Sequence, residues 1–261
     1  MKKVIVLNKK EGETPLESLE KFRKKNKEYK DSSMTYAGRL DPMASGVLLV
    51  LTGDEIKKKE KYLNSKKEYE FEILFGFTTD TYDILGKVVK NTQGFPVYKK
   101  SDLKKLIKDN LKYFTGKFKQ KYPLYSSKTV KGKQLFQYAR SGEVVLAPER
   151  EVRVDSLKFN KIKTINKNKL LENIEKRINK VKGDFRQKEI LKIWRKKLSQ
   201  GPSLRKKEEK LYIASFKIKC GSGTYVRGIA DSLGKRINIP ALAFSIKRTK
   251  VGRFEIKGKN N

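Results

Sequence analysis

The clearest periodicity in the chain lies at residues 67–75, KEYEFEILF, where Tyr69, Phe71 and Ile73 alternate with Glu68, Glu70 and Glu72. Successive side chains of a strand point to opposite faces, so this segment reads as a half-buried strand with one apolar and one acidic side. Short apolar runs at Val4 to Asn8 and at Gly46 to Thr52 read as strands, as do Lys87 to Val89, Val152 to Phe159 and Leu211 to Cys220. Helical spacing follows Thr14-Pro15 through Leu16, Leu19 and Phe22, with Thr14 as N-cap and Pro15 at the first helical position. It returns after Ser101-Asp102 (Leu103, Leu106, Ile107, Leu111), over Gln134 to Arg140 before Gly142, and over Tyr225 to Leu233. Asp54 reads as the cap of a basic helix carrying Ile56, Tyr62 and Leu63. Residues 26–39 and 116–131 keep no period and read as loops, and Ala243 to Ile256 holds one or two final strands. Strands and helices mix without a regular βαβ rhythm, which predicts an α+β fold on a mixed sheet.

Residues 161–210 differ from their surroundings. Leu170, Leu171, Ile174, Ile178 and Val181 follow helical spacing, and after Gly183-Asp184 so do Ile190, Trp194 and Leu198. The stretch carries 18 Lys/Arg against 6 Asp/Glu, a net of +12. It reads as a basic helical hairpin inserted between two strands, either an arm that grips RNA or a packed insert with a solvated face. The rest of residues 1–261 reads as one domain around it.

Composition sharpens the picture. The 64 Lys+Arg against 29 Asp+Glu leave +35 on 261 residues. Self-repulsion on that scale points to a polyanion, nucleic acid before a membrane surface, although a Lys-rich proteome also accounts for part of it. No run approaches the ~18 apolar residues of a membrane span, and Val4 to Leu7 is too short for a signal-peptide core, so the chain reads as cytoplasmic. The absence of histidine excludes Ser-His-Asp and Cys-His nucleophile pairs and His-ligated zinc, and a single cysteine excludes an internal disulfide. Any chemistry falls to carboxylates, phenols, hydroxyls, amines or guanidinium.

One segment concentrates glycine around an Asp-Pro pair: Tyr36-Ala37-Gly38-Arg39-Leu40-Asp41-Pro42-Met43-Ala44-Ser45-Gly46. A carboxylate held in such a turn before a buried strand projects rigidly into a cleft. Taken alone, Asp-Pro reads as a turn aspartate capping its own backbone. The segment YAGRLDPMASGVLLVLTG resembles the nucleophile motif of the TruB family of pseudouridine synthases. Four further stretches resemble that family in the same order: Lys67-Glu68-Tyr69; GFTTDTYDILG (Gly76 to Gly86); the central stretch Pro123 to Lys128 with Gly132-Lys133 and Tyr138 to Gly142; and Cys220 to Arg227 together with the closing Lys247-Arg248-Thr249-Lys250-Val251-Gly252. The likeness spans nearly the whole chain except 161–210.

The resemblance implies a pseudouridine-synthase-like, mainly antiparallel sheet flanked by helices. It implies a cofactor-free, metal-free isomerase that turns a uridine of the tRNA T-loop, position 55, into pseudouridine by base flipping, acting as a monomer without a protein partner. Asp41 matches the family's catalytic aspartate and Arg227 the arginine paired with it. Tyr69 matches the tyrosine that stacks on the target base, and Tyr225 and Ile246 match positions lining the uridine pocket. Tyr36 stands near the flipped nucleotide where the family usually has histidine. Apart from the resemblance, Tyr69 reads as core packing, Tyr225 and Arg227 as packing and an ion pair, and Asp80 and Asp83 as loop caps. Many relatives carry a C-terminal RNA-binding module of the PUA kind, for which residues after Gly252 leave no room, and the basic insert is then expected to supply part of that grip. The alternative is a non-catalytic basic protein that binds or folds tRNA on the same scaffold.

Overall fold

The computed structural model describes residues 2–91, 99–199 and 210–256. In chain order the elements are β1 (Val4–Lys9), α1 (Pro15–Lys25), β2 (Met34–Ala37), β3 (Ala44–Thr52), α2 (Lys59–Leu63), β4 (Lys67–Phe75), β5 (Phe77–Thr79), β6 (Val88–Asn91), α3 (Lys100–Asn110), β7 (Gly116–Lys121), β8 (Thr129–Val130), β9 (Lys133–Gln134), α4 (Leu135–Ser141), β10 (Glu149–Asn166), α5 (Lys167–Ile178), α6 (Gln187–Ser199), β11 (Lys210–Cys220), α7 (Val226–Arg236), β12 (Ala241–Val251) and β13 (Phe254–Glu255). The main sheet runs β1-β3-β12-β4-β11-β10-β7, with β2 added to β3 and β13 to β12. Every pairing is antiparallel except β3 with β12. This is the α+β fold on a mixed sheet that the patterning predicts, mainly antiparallel as the family resemblance implies.

The alternation in 67–75 sorts the two faces. Phe71, Ile73 and Phe75 face α3 and α7 in a core shared with Phe216, Ile218, Ile229 and Leu233. Leu74, Ile213, Leu242 and Phe244 face the other way and are covered by α5 and α6. Further along that second face Glu68 and Glu70 stay outside the apolar cover and pair with Lys219 and Lys217 of β11.

The insertion is part of the core. Leu170, Ile174, Ile178, Ile190, Trp194 and Leu198 are all buried on the sheet, and the Trp194 indole donates to the Ile84 carbonyl at 3.2 Å. Arg177 of α5 reaches back to both carboxylate oxygens of Glu11 (2.9 and 2.7 Å) and to the Phe244 carbonyl. Its helical part starts at Lys167, because β10 runs on to Asn166 as the partner of β11. Residues 200–209 lie outside the described residues.

Thr14 caps α1 as expected, in a reciprocal pair with Glu17, and Gly142 ends α4 in the left-handed conformation. Four local expectations are corrected. Residues 26–39 include the strand β2, whose partner β3 supplies its hydrogen bonds although its side chains show no apolar period. Residues 116–131 include the edge strand β7, whose one buried side chain is the polar Gln120. Asp54 pairs with Lys57 in a 3₁₀ turn that precedes α2 and caps nothing. Ser101 and Asp102 lie inside the first turn of α3, which begins at Lys100 without a side-chain cap.

Candidate active site

A strand has two edges, and β3 divides one of them. β1 takes one edge along Gly46 to Leu51; the other pairs with β12 at Ala44 to Gly46 and with β2 at Leu49 to Thr52. The β2–β3 connection, Gly38 to Met43, emerges beside that division and carries Asp41. Two buried cations hold it. Arg248 of β12 donates to the carbonyls of Val47 (2.8 Å), Gly38 (3.1 Å) and Arg39 (3.2 Å). Lys9 of β1 donates to those of Ala44 (2.6 Å), Lys10 (3.0 Å) and Pro42 (3.4 Å). Burial lowers the Lys9 pKa to about 8, and the nearby Glu13, Asp41 and Glu11 offset part of that loss. Gly46 lets β3 and β12 approach this closely: its φ is +105°, and a Cβ there would lie 2.1 Å from the Arg248 carbonyl oxygen.

Arg227 sits in the first turn of α7 and meets Asp41 across the cleft floor, Nε to Oδ2 at 2.8 Å. Its side chain is 2% exposed, whereas that of Asp41 is 42% exposed, so the pair joins a buried cation to a carboxylate that opens outward. Its Nη1 and Nη2 donate to the carbonyls of Thr81 (2.7 Å) and Tyr125 (2.8 Å). Burial works against the charge on Arg227, but Asp41 and Asp83 outweigh it and raise its pKa. Asp83 caps its loop as the sequence suggests, accepting from the Thr81 hydroxyl and the Leu85 amide. Burial pushes its carboxyl up to about 6, opposed by Arg227 and assisted by Asp41.

The aromatic wall comes from several elements. Tyr69 of β4 lies opposite Arg248 in the sheet register, and burial raises its phenol pKa. Tyr225 stands at the N-cap of α7, and its backbone is gripped from β7: its amide donates to Gln120 Oε1 (2.9 Å) and its carbonyl accepts from Gln120 Nε2 (3.0 Å). Tyr122 meets the Tyr225 ring edge-on at 5.7 Å. Tyr36 of β2 packs partly against Ile5, Leu19, Tyr29 and Val50.

A cleft of about 710 Å³ brings together Asp41, Arg227, Tyr36, Tyr69, Tyr225 and Ile246, every site residue singled out from the sequence. Lys67, Asp83, Tyr125, Arg140 and Arg248 also line it, as does the α5–α6 turn at Asp184 to Arg186. Asp83, Tyr125, Arg140 and Arg248 stood within matched motifs without an assigned cleft position. Gln120 and the α5–α6 turn carried no signal of this kind, because both reach the site only through folding. Among the described residues no group of three or more His, Cys, Asp or Glu side chains could hold a metal ion, and no helix is long and apolar enough to cross a membrane.

The family model for the N-terminal domain of TruB family pseudouridylate synthases matches residues 24–185. The tRNA pseudouridine synthase B of Ligilactobacillus salivarius is 30% identical over 253 residues, covering 97% of this chain and 68% of its own length. The protein of the same name from Mesoplasma florum is 27% identical over 259 residues, covering 99% of this chain and 71% of its own length. Among solved structures, a chain of a Cbf5-Nop10-Gar1 complex superposes with a TM-score of 0.53 at 17% identity, over 97% of this chain and 50% of that one. A chain of an H/ACA RNP bound to a substrate RNA containing 2′-deoxyuridine gives 0.51 at 15% identity, over 97% and 49%. The present chain thus spans about half the length of these two solved chains, and at such identities the likeness concerns the fold.

Proposed function

The chain belongs to the TruB family of pseudouridylate synthases, and from that premise we propose that it converts the T-loop uridine of tRNA, position 55, into pseudouridine with Asp41 as the reacting carboxylate. The isomerisation breaks the bond from N1 of uracil to C1′ of its ribose and makes one from C5 to C1′. The C5 proton is lost and N1 gains one, so the reaction balances without an external donor or redox partner. A carboxylate can act as nucleophile or as base in such a sequence.

The observation that carries this reading is the union of an outward-facing Asp41 with the buried Arg227. Among the described residues Asp41 is the carboxylate bonded to Arg227, through Nε, while Nη1 and Nη2 end on backbone carbonyls that fix the guanidinium behind it. Tyr69 offers a flat face to a base taken out of its stack, a contact worth ~1–3 kcal/mol in single-stranded recognition. Tyr225 and Ile246 close the pocket around it, and Tyr36 takes the place beside the flipped nucleotide. The +35 charge supplies phosphate contacts that position the RNA.

Asp41→Asn keeps the shape and removes the charge. Pseudouridine formation in a T-arm stem-loop should disappear while RNA affinity stays near that of the wild type. Appreciable turnover by the variant would refute the role of Asp41. A wild-type chain that binds the stem-loop and leaves its uridine unchanged would point to the non-catalytic RNA-binding alternative.

A further inference from the structure

The α5–α6 turn is where the insertion meets the cleft. Gln187 knots it: its amide nitrogen donates to the carbonyls of Val181 (3.0 Å) and Gly183 (2.7 Å), and its amide oxygen accepts from the Phe185 amide (2.8 Å). Asp184 accepts from the Arg186 amide at 3.1 Å, and Phe185 packs against the apolar cluster that α5 and α6 form on the sheet. The turn is therefore anchored to the core and cannot swing away from the cleft alone. It holds Arg186 at φ +64°.

From there Arg186 Nη1 donates to Asp80 Oδ2 at 2.7 Å and to the Tyr125 hydroxyl at 2.5 Å. Its guanidinium lies 4.2 Å from the centre of the Tyr125 ring. Tyr125 supplies one of the two carbonyls that hold Arg227, and Thr81, next to Asp80, supplies the other. Arg140 of α4 fastens to the same turn through the Asp184 carbonyl at 2.6 Å. Arg186 lies one residue past the segment that the family model matches.

We propose that Arg186 is a positioning residue for the isomerisation, contributed by the insertion. It clamps Tyr125 and Asp80, so that the carbonyls of Tyr125 and Thr81 hold Arg227, and through it Asp41, in place before RNA arrives. The inference rests on the function proposed above. It assigns the insertion a part in the reacting centre in addition to its cover of the sheet.

Two variants test it. Arg186→Asn is too short to reach either partner and tolerates a left-handed backbone. Arg186→Lys keeps the charge but loses the planar group that stacks on Tyr125. Pseudouridine formation is measured at saturating T-arm RNA, RNA affinity separately, and hydrogen exchange in the free protein on the Leu135 and Phe136 amides, which donate to the Lys128 and Ser126 carbonyls of the Tyr125 segment, and on the Lys87 amide, which donates to Asp80. In R186N the turnover at saturation should fall on the order of ten- to hundredfold, with RNA affinity unchanged and faster exchange at these amides. R186K should lie between R186N and the wild type, and it carries the same test if the Asn variant does not fold. Unchanged exchange, turnover within twofold of wild type, or a loss confined to RNA affinity would overturn the proposal. The exchange measurement needs no turnover, so an inactive wild-type chain would count against the proposed function and leave the clamp to be judged by exchange.

Discussion

Gly46→Ala places one methyl group where the two strands beneath the site come closest. The new Cβ would lie 2.1 Å from the Arg248 carbonyl oxygen and 2.9 Å from that residue's carbonyl carbon and amide nitrogen, all of them backbone atoms. Cβ atoms essentially never approach within 3.0 Å, so β3 and β12 must part by about 3.0 − 2.1 = 0.9 Å. The backbone at φ +105° adds strain of ~1–3 kcal/mol for a residue with a side chain. Weakened hydrogen bonds between the parted strands add ~0.5–1.5 kcal/mol each. The total is about 3–5 kcal/mol, or a melting temperature lower by on the order of 10 °C for a chain of this size. The displaced strand carries Arg248, and Arg248 holds the Gly38 and Arg39 carbonyls of the Asp41 loop. The portion that still folds should therefore react slowly, since a shift of ~1 Å in a reacting group can cost on the order of a hundredfold. Urea unfolding followed by the single tryptophan, Trp194, gives the first quantity, and single-turnover pseudouridine formation well below the melting temperature gives the second. A loss of less than ~1 kcal/mol together with wild-type turnover would show that the β3–β12 contact does not position Asp41.

Three other outcomes follow from the same geometry. Asp83 has a folded pKa of about 6 against an ordinary 3.8, so between those values its carboxyl holds more proton in the folded chain than in the unfolded one, and its own contribution to stability falls as pH rises from about 4 to about 6. Asp83→Asn lacks that term, so its stability relative to wild type should improve by up to ~3 kcal/mol between pH 4 and pH 8, and a pH-independent difference would contradict the burial of a titrating Asp83. Because Trp194 is buried between the insertion and the sheet, its fluorescence and the far-ultraviolet circular dichroism should report one unfolding transition, and Trp194→Ala should cost ~3–5 kcal/mol; an earlier, separate fluorescence transition would mean that the insertion unfolds by itself. Tyr69→Phe keeps the stacking face and should retain turnover, whereas Tyr69→Leu should lose ~1–3 kcal/mol in kcat/KM, and equal rates in the two variants would exclude stacking by Tyr69.

Much of this protein is legible without coordinates. Alternation at 67–75 identifies β4 and both of its faces, because the period-2 geometry of a strand depends on nothing beyond the strand itself. Thr14-Pro15 and Gly142 mark helix ends for equally local reasons, one a side-chain cap and the other a left-handed residue. The motif around Asp41, with Tyr69, Tyr225, Arg227 and Ile246, marks the residues that meet in the cleft. The strands β2 and β7 escape notice because their order comes from the neighbours that hydrogen-bond them, and Gln120 is the buried side chain where an apolar one would have signalled a strand.

The sequence by itself determined the strands and helices with a local period, the helix ends at Thr14 and Gly142, the large positive charge, and the exclusion of imidazole chemistry, since each depends on residue type and short-range spacing. The tertiary structure decided the rest. Asp41 and Arg227 stand 186 positions apart in the chain and meet at 2.8 Å. The left-handed Gly46 is required only because β12 lies against it. The insertion reads as basic along the chain, and its apolar stripe gives no hint of which surface it covers; packed on the sheet, it hides that stripe and brings Arg186 to the cleft. Contacts between distant segments are fixed by which faces bury one another, and that choice is made by the whole core at once.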